Sequence, residues 1–274
     1  MLRTIDVSSN QGSIKIAPIN CDAVITKATG GVSYVNKYCD YVIQQCIKIH
    51  KPFGFYHFAH EYGKVNLPEK EADFFIKNTK NYFKHGIAIL DYEVAYNGRN
   101  YTQKDINWIE QFIEYVHQKT GVYCLLYISK SLLNGVGDWS RVARISGLWF
   151  AQYANNKPTG WTSKPWSDNK PTKPFNVVMD QYTSTGRING YNGNLDLSIF
   201  YGDKNTWKAY ADPNKTIVHK PTKKPASKPK EAKQMDYLTE FAKDVIKGKY
   251  GNGKKRKENI YNAVQKKVEQ LLKK

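Results

Sequence analysis

The stretch GIAILDYEVAYNG, residues 86–98, decides how the rest of the chain is read. Four apolar residues, Ile87 to Leu90, run into Asp91 and Glu93, and the chain then reaches the turn pair Asn97-Gly98. A short apolar run bounded by turn residues reads as a strand buried on both faces, the kind found in parallel sheets. Side chains alternate along a strand, so Asp91 and Glu93 point the same way, one pleat repeat (roughly 7 Å) apart. Two carboxylates aimed together from the end of a buried strand repel each other, and that cost requires a reason.

Working outward, strand-like runs recur at residues 2–5, 23–26, 53–58, 122–128, 148–152, 177–182 and 195–197. Helical periodicity separates several of them. Residues 38–50 place apolar side chains at 39, 42, 43, 46, 47 and 49, and residues 70–81 carry Ala72, Phe75, Ile76 and Thr79 on one face. Residues 102–119 open with Thr102 and Asp105 in capping-box spacing and close at Gly121, with Ile106, Ile109, Ile113 and Val116 as the buried face. Eight strands alternating with helices through the fifth predict an α/β fold, an irregular TIM-like barrel with fewer helices than strands. The Pro-, Gly-, Asn- and Ser-rich stretch 155–174 is the irregular side. In such barrels chemistry gathers at the C-terminal ends of the strands, where Asp91 and Glu93 lie.

Two more acids join them. Asp6 follows the first strand run and Asp196 lies in the last, and in a closed barrel first and last strands are neighbours. Four carboxyls around one pit raise the pKa of at least one member, so that a proton held at Glu93 by neighbouring negative charge is expected. A protonated acid beside ionised ones is what glycoside cleavage needs, one group protonating the leaving oxygen while another stabilises positive charge at the anomeric carbon. Ordinary loop acids after a strand are the plainer alternative. Metal binding is not favoured, because no Asx-rich loop or P-loop accompanies the acids, and no metal or cofactor is expected. His57 and His60 in YHFAHEYG lack zinc-protease spacing and read as core or rim histidines.

The 274 residues allow one large domain and a small one, and 41% apolar composition supports a sizeable core. Twenty Tyr and six Trp suit a sugar-binding surface as well as a core. Of the formal charge of +18, +12 falls in residues 213–274, which implies a polyanionic partner for that segment. No interleaved aromatic and basic motif supports nucleic-acid binding. Cys21, Cys39, Cys46 and Cys124 sit in apolar patterns without paired spacing, so free buried thiols and a reducing compartment are expected. The start MLRTIDVSSNQG has no signal-peptide pattern and no run is long enough to insert in a membrane.

The segments IDVSSNQG (5–12), ITKATGG (25–31), GFYHFA (54–59), ILDYE (89–93), LLYIS (125–129), LWFAQY (148–153) and QYTSTGRINGYNGNLDLSIF (181–200) carry a resemblance. In this order and spacing, the chain resembles a glycoside hydrolase family 25 lysozyme over residues 2–203. The resemblance implies cleavage of the β-1,4 bond between N-acetylmuramic acid and N-acetylglucosamine in bacterial peptidoglycan. It assigns the proton donor to Glu93, its partner to Asp91, two further acids of the pit to Asp6 and Asp196, and the sugar groove to Tyr56, Tyr127, Trp149 and Gln181. Two positions depart from the family pattern, Gly30 where an acid is frequent and Asp180 where Trp is common, and both are expected on or near the groove. A chitinase-like D-x-E glycosidase and a non-catalytic wall-binding protein are the alternatives.

Residues 213–234 are Lys- and Pro-rich and read as an extended linker between a catalytic barrel (1–212) and a C-terminal module (235–274). Within the module, residues 236–247 and 261–273 have helical periodicity. Residues 237–272 resemble one copy, shortened near Ile260-Tyr261, of a helical wall-binding repeat of phage lysins. The implied partners are peptidoglycan and, through the basic charge, teichoic acid. The same resemblance implies accumulation in a host bacterial cytoplasm and release to the wall through a holin-type pore.

Overall fold

Residues 87–91 form a strand in which every residue is buried, as the apolar run predicts. The computed structural model describes residues 1–96, 98, 100–133, 136–167, 174–213, 247, 249–250, 255–256 and 258–262. Its strands are β1 (Leu2–Val7), β2 (Ala23–Gly30), β3 (Tyr34–Val35), β4 (Phe53–Phe58), β5 (Ile87–Asp91), β6 (Leu125–Ser129), β7 (Leu148–Ala151), β8 (Val177–Gly186) and β9 (Leu195–Phe200). They lie side by side in the order β1-β9-β8-β7-β6-β5-β4-β2, and β1 pairs back onto β2, so eight strands close a barrel. The two-residue β3 is an antiparallel flap on β2. The expected α/β barrel is therefore present.

Helices α1 (Cys39–Lys48), α2 (Pro68–Thr79) and α3 (Gln103–Thr120) pack outside the parallel strands. Local sequence sets their ends. Thr102 and Asp105 close a capping box at the start of α3, and Gly121 (φ 76°) takes the left-handed position that ends it. The α2 helix starts at Pro68, earlier than its apolar periodicity indicates, because proline's fixed φ and missing N–H suit the first helical position. The short α4 (Lys130–Leu133) and α5 (Ser140–Ile145) join β6 to β7. They and α6 (Lys204–Ala211) are too short to announce themselves by periodicity.

The apolar interior has two parts. Inward-facing Ala23, Ile25, Ile87, Ile89, Leu125, Trp149 and Met179 fill the barrel. Outward-facing Val24, Leu90, Leu126 and Phe150 pack with Ile43, Phe75, Ile109 and Phe112 of the helices. Near the N-terminal ends of the parallel strands, α6 closes the barrel: Trp207 is buried and donates its indole N–H to Phe53 O at 3.0 Å. All four cysteines are free and buried.

Around the parallel core, β9 runs antiparallel to both β8 and β1. Asp196 is the second residue of β9, and it reaches the barrel mouth only because this strand is reversed. It then pairs in register with Asp6 of β1.

Chain contacts divide the molecule into units 1–218 and 219–274. The linker 214–234 lies outside the described residues, as do residues 236–246 and 263–273 of the two expected C-terminal helices. Within the second unit residues 258–262 are helical, so helical backbone begins before Tyr261. No described helix is long and apolar enough to cross a membrane.

Candidate active site

The barrel mouth holds a polar pit of about 230 Å³ lined by Asp6, Tyr56, Asp91, Glu93, Tyr127, Trp149, Gln181 and Asp196, together with Ser8, Asn10 and Tyr153. Thus all eight residues singled out from sequence face one hollow. Each arrives on the inward row of its strand or just beyond the strand's end: Asp6 from β1, Tyr56 from β4, Asp91 from β5, Tyr127 from β6, Trp149 from β7, Gln181 from β8 and Asp196 from β9. A larger hollow of about 350 Å³ beside Ser146, Gly147 and Tyr210 gathers no such acids. Among the described residues no group of His, Cys, Asp and Glu is arranged to hold a metal ion.

Gln181 ties the walls of the pit together. Its amide donates to Asp6 Oδ2 at 2.9 Å, while its carbonyl accepts from Tyr127 OH at 2.8 Å and Tyr153 OH at 2.5 Å. Trp149 stacks edge-on against Tyr127 at 4.6 Å and donates to Ser198 Oγ at 3.2 Å. The aromatic rings are therefore locked in the wall of the pit.

The four acids are unequal. Burial, then the charge of Asp196, raises Asp6 well above the usual carboxylate range. Burial, then the charge of Glu93, raises Asp91 well above that range too. Asp196 is pushed up to about 6 by burial and by Glu93. Glu93 stands at the exposed rim, although protein crowds its carboxyl on the pit side. This partial desolvation raises its pKa, while a hydrogen bond from Asp91 and the charge of Lys27 lower it. Whole-residue exposure and local crowding thus pull in opposite directions, and the open rim makes the rise at Glu93 the weaker of the two. Both members of the pair are raised, Asp91 the more strongly because it is the more deeply buried, and a hydrogen bond between the two carboxyls favours one shared proton. The pair titrates as a unit.

Raised carboxyls also weaken the fold at neutral pH. Between the unfolded value near 3.8 and the raised folded value, the folded state binds more protons than the unfolded chain, so stability falls as pH rises through that window. Asp6→Asn is expected to raise Tm at pH 7–8 and to leave it nearly unchanged near pH 4. The gain is roughly 2–4 °C for each kcal/mol relieved in a domain this size. Scanning calorimetry at both pH values checks this, and an equal change at both would refute it.

Sequence reasoning missed the support beneath the acids. Tyr92, between Asp91 and Glu93, is fully buried. Its hydroxyl donates to Asp105 Oδ1 at 2.9 Å and lies 3.2 Å from His60 Nε2. Asp105 also accepts from the Tyr96 and Thr102 backbone N–H groups at 2.6 and 2.7 Å, pinning the loop after β5 to the start of α3. Behind His60, the buried Glu71 accepts from His57 Nε2 at 2.9 Å, His60 N at 3.1 Å and Asn66 Nδ2 at 3.0 Å. His57 and His60 are thus core residues. The capping-box spacing of Thr102 and Asp105 was the one sequence signal pointing here.

The two departures separate. Asp180 faces away from the pit, opposite Gln181 on β8, where it is fully buried and accepts from Ser167 Oγ at 2.6 Å. Of the expected position on or near the groove, Asp180 takes the second, behind the wall that Gln181 lines. At Gly30, the space a side chain would enter already holds the carboxylate of Glu61.

Comparison with known proteins follows the same lines. Residues 239–272 match the CW_7 repeat. An autolytic lysozyme of Clostridium acetobutylicum is 27% identical over 209 residues, 73% of this chain and 56% of that protein. A lysozyme of Streptococcus phage Cp-1 is 28% identical over 160 residues, 57% of this chain and 44% of the relative. The chain thus spans about half the length of these relatives. A bacterial lysozyme structure from Streptomyces coelicolor superposes with a TM-score of 0.65 at 25% identity, over 77% of this chain and 97% of the other. Residues 5–191 match the description Glycosyl hydrolases family 25, and the chain belongs to that family.

Proposed function

We propose that the chain is an endolysin-type muramidase, hydrolysing the β-1,4 bond between N-acetylmuramic acid and N-acetylglucosamine of bacterial peptidoglycan. Family membership and the lysozyme relatives support the reaction class. The observation that carries the mechanism is at Asp91: its Oδ1 is buried at the pit and has no hydrogen-bond partner among the described residues. A buried acceptor left open is costly unless a ligand fills it. The N–H of a 2-acetamido group is a donor of the right kind.

Donation of that N–H to Asp91 favours its carboxylate form, and the proton shared within the pair moves to Glu93. Glu93 then protonates the glycosidic oxygen as the acetamido oxygen attacks the anomeric carbon and the C–O bond breaks. In the second step Glu93 removes a proton from water, which attacks the same carbon and reopens the acetamido group. Two inversions give retention, the substrate-assisted variant of glycoside hydrolysis. The phenols of Tyr56 and Tyr127 stay neutral, held far above their usual range by burial first, then by the acids at Tyr56 and by Tyr153 and the acids at Tyr127, and are available as donors to sugar hydroxyls.

The C-terminal repeat is the proposed wall anchor, with its basic charge directed to peptidoglycan and teichoic acid. The route to the wall in this reading is release from a host cytoplasm through a holin-type pore. Mass spectrometry of fragments released from purified peptidoglycan tests the bond cleaved: reducing-end muramic acid is expected, and reducing-end glucosamine or free peptide stems would refute the assignment. Proton NMR of the first product is expected to show the β-anomer, whereas initial α-anomer would exclude retention.

A further inference from the structure

Lys27 stands on the inward row of β2, above Ala23 and Ile25 of the barrel interior, and its partner on β4 is the pit residue Tyr56. An ammonium there has a mouth of acids within its field. Its ion pair is nevertheless with Glu61, Nζ to Oε2 at 2.5 Å, and both side chains are largely shielded at 12% and 14% exposure. The ammonium also lies over the rings of Phe58 at 4.5 Å and Tyr34 at 4.7 Å. Three contacts therefore hold it at one place on the rim.

Glu61 reaches that place through a local distortion. The turn Glu61–Gly63 follows β4 and is entered through His60 in the left-handed conformation (φ 56°). A non-glycine residue there carries strain, and the hydrogen bonds of His60 to Glu71 and Tyr92 hold it. Space for the Glu61 carboxylate exists because residue 30 has no side chain: a Cβ there would meet Glu61 Oε2, with Cδ at 2.8 Å and Cβ at 3.0 Å. A side chain at position 30 would displace that carboxylate.

We propose that Glu61 is a positioning residue: seated in the space left by Gly30, it holds Lys27 at the rim, keeps the ammonium from ion-pairing with Asp91 and Glu93, and thereby sets how tightly that pair keeps its proton. The inference rests on reading the pair as the acid/base of hydrolysis. The other groups facing it act differently. Asp6 of β1 and Asp196 of β9 supply negative charge, and Tyr56, Tyr101, Tyr127 and Tyr153 stay neutral. Among the described residues, Lys27 is the cation whose charge acts on both Asp91 and Glu93. Glu61 offsets that charge, so the two make a balanced control.

Carbon-13 NMR titration of the side-chain carboxyls in the full chain tests this, beside pH–rate profiles on purified peptidoglycan. Glu61→Gln keeps the shape and removes the charge, and is expected to move the upper titration of the Asp91–Glu93 pair down by about one unit, the scale of a nearby unpaired charge. Lys27→Met is expected to move it up by about as much, and the double variant to return it close to the parent value. Gly30→Ala alters no charge but displaces Glu61, and is expected to act in the direction of Glu61→Gln. Unchanged titrations in both charge variants, or shifts of the same sign, would overturn the proposal. The carboxyl titration needs no turnover. Loss of the predicted shifts in a hydrolytically active chain therefore counts against Glu61 alone, while shifts in an inactive chain count against the muramidase reading alone.

Discussion

Glu93→Gln is expected to lower hydrolysis of purified peptidoglycan by at least about 100-fold, the scale of a lost general acid. Glutamine keeps the size of the side chain and its capacity to accept the hydrogen bond from Asp91. It cannot hand a proton to a departing sugar oxygen or take one back from water. Because Glu93 lies at the exposed rim, the change should cost little stability, within about 0.5 kcal/mol. The thermal transition and sedimentation with cell walls should therefore match the parent chain while the rate collapses. A variant retaining more than a tenth of the parent rate would remove Glu93 from the chemistry and move the proton donor to another acid of the pit.

Glu71→Ala is expected to act in the opposite way, through the fold. Glu71 has no exposed surface and serves four donors, His57 Nε2, the His60 backbone, the His60 ring at Nδ1 and Asn66. Burial alone would push its carboxyl up, but the hydrogen bonds from His57 and His60 outweigh it and hold the group at about 2. His57 is itself lowered by burial, so the two tendencies compete. A neutral imidazole reconciles them, accepting from Thr29 Oγ1 at 2.8 Å through Nδ1 and donating from Nε2 to an ionised Glu71. Deleting the carboxylate strands buried donors at a cost of about 1–3 kcal/mol each. A total near 3–5 kcal/mol lowers Tm by roughly 6–20 °C. The sign with pH follows from the depressed value: the contribution of Glu71 is complete above its unfolded pKa near 4.5 and disappears as pH falls through about 2. Thermal scans from pH 7 to pH 3 should show the gap between parent and variant narrowing toward acid. A gap below about 1 kcal/mol at pH 7 would mean that the network is decorative.

The barrel was legible where burial writes itself as a run or a period. Ile87–Leu90 could only be a strand between two layers, and Thr102, Asp105 and Gly121 marked both ends of α3. Strand alternation was enough to aim Asp91 and Glu93 together. The direction of β9 was not legible, since LDLSIF reads the same along either sense of a sheet. The short α4, α5 and α6 lack the turns needed to establish a period. The acids themselves could be gathered from the resemblance, but how strongly each is raised depends on how deep its side chain sits, a quantity that spacing does not contain. Likewise Gly30 could be marked as unusual, whereas its neighbour in space, Glu61, lies 31 positions along the chain.

The register of Asp6 with Asp196 also dictates when this molecule becomes competent. One belongs to the first strand and the other to the last, 190 positions later. At about 5–20 residues per second of synthesis, roughly 10–40 s pass between their appearances. During that interval β1 has only one of its two lateral partners, and an incomplete sheet edge is a template for pairing with another chain. A nascent chain therefore depends on its final strand to seal that edge, and a ribosome stalled before residue 195 holds a product that is both inert and adhesive.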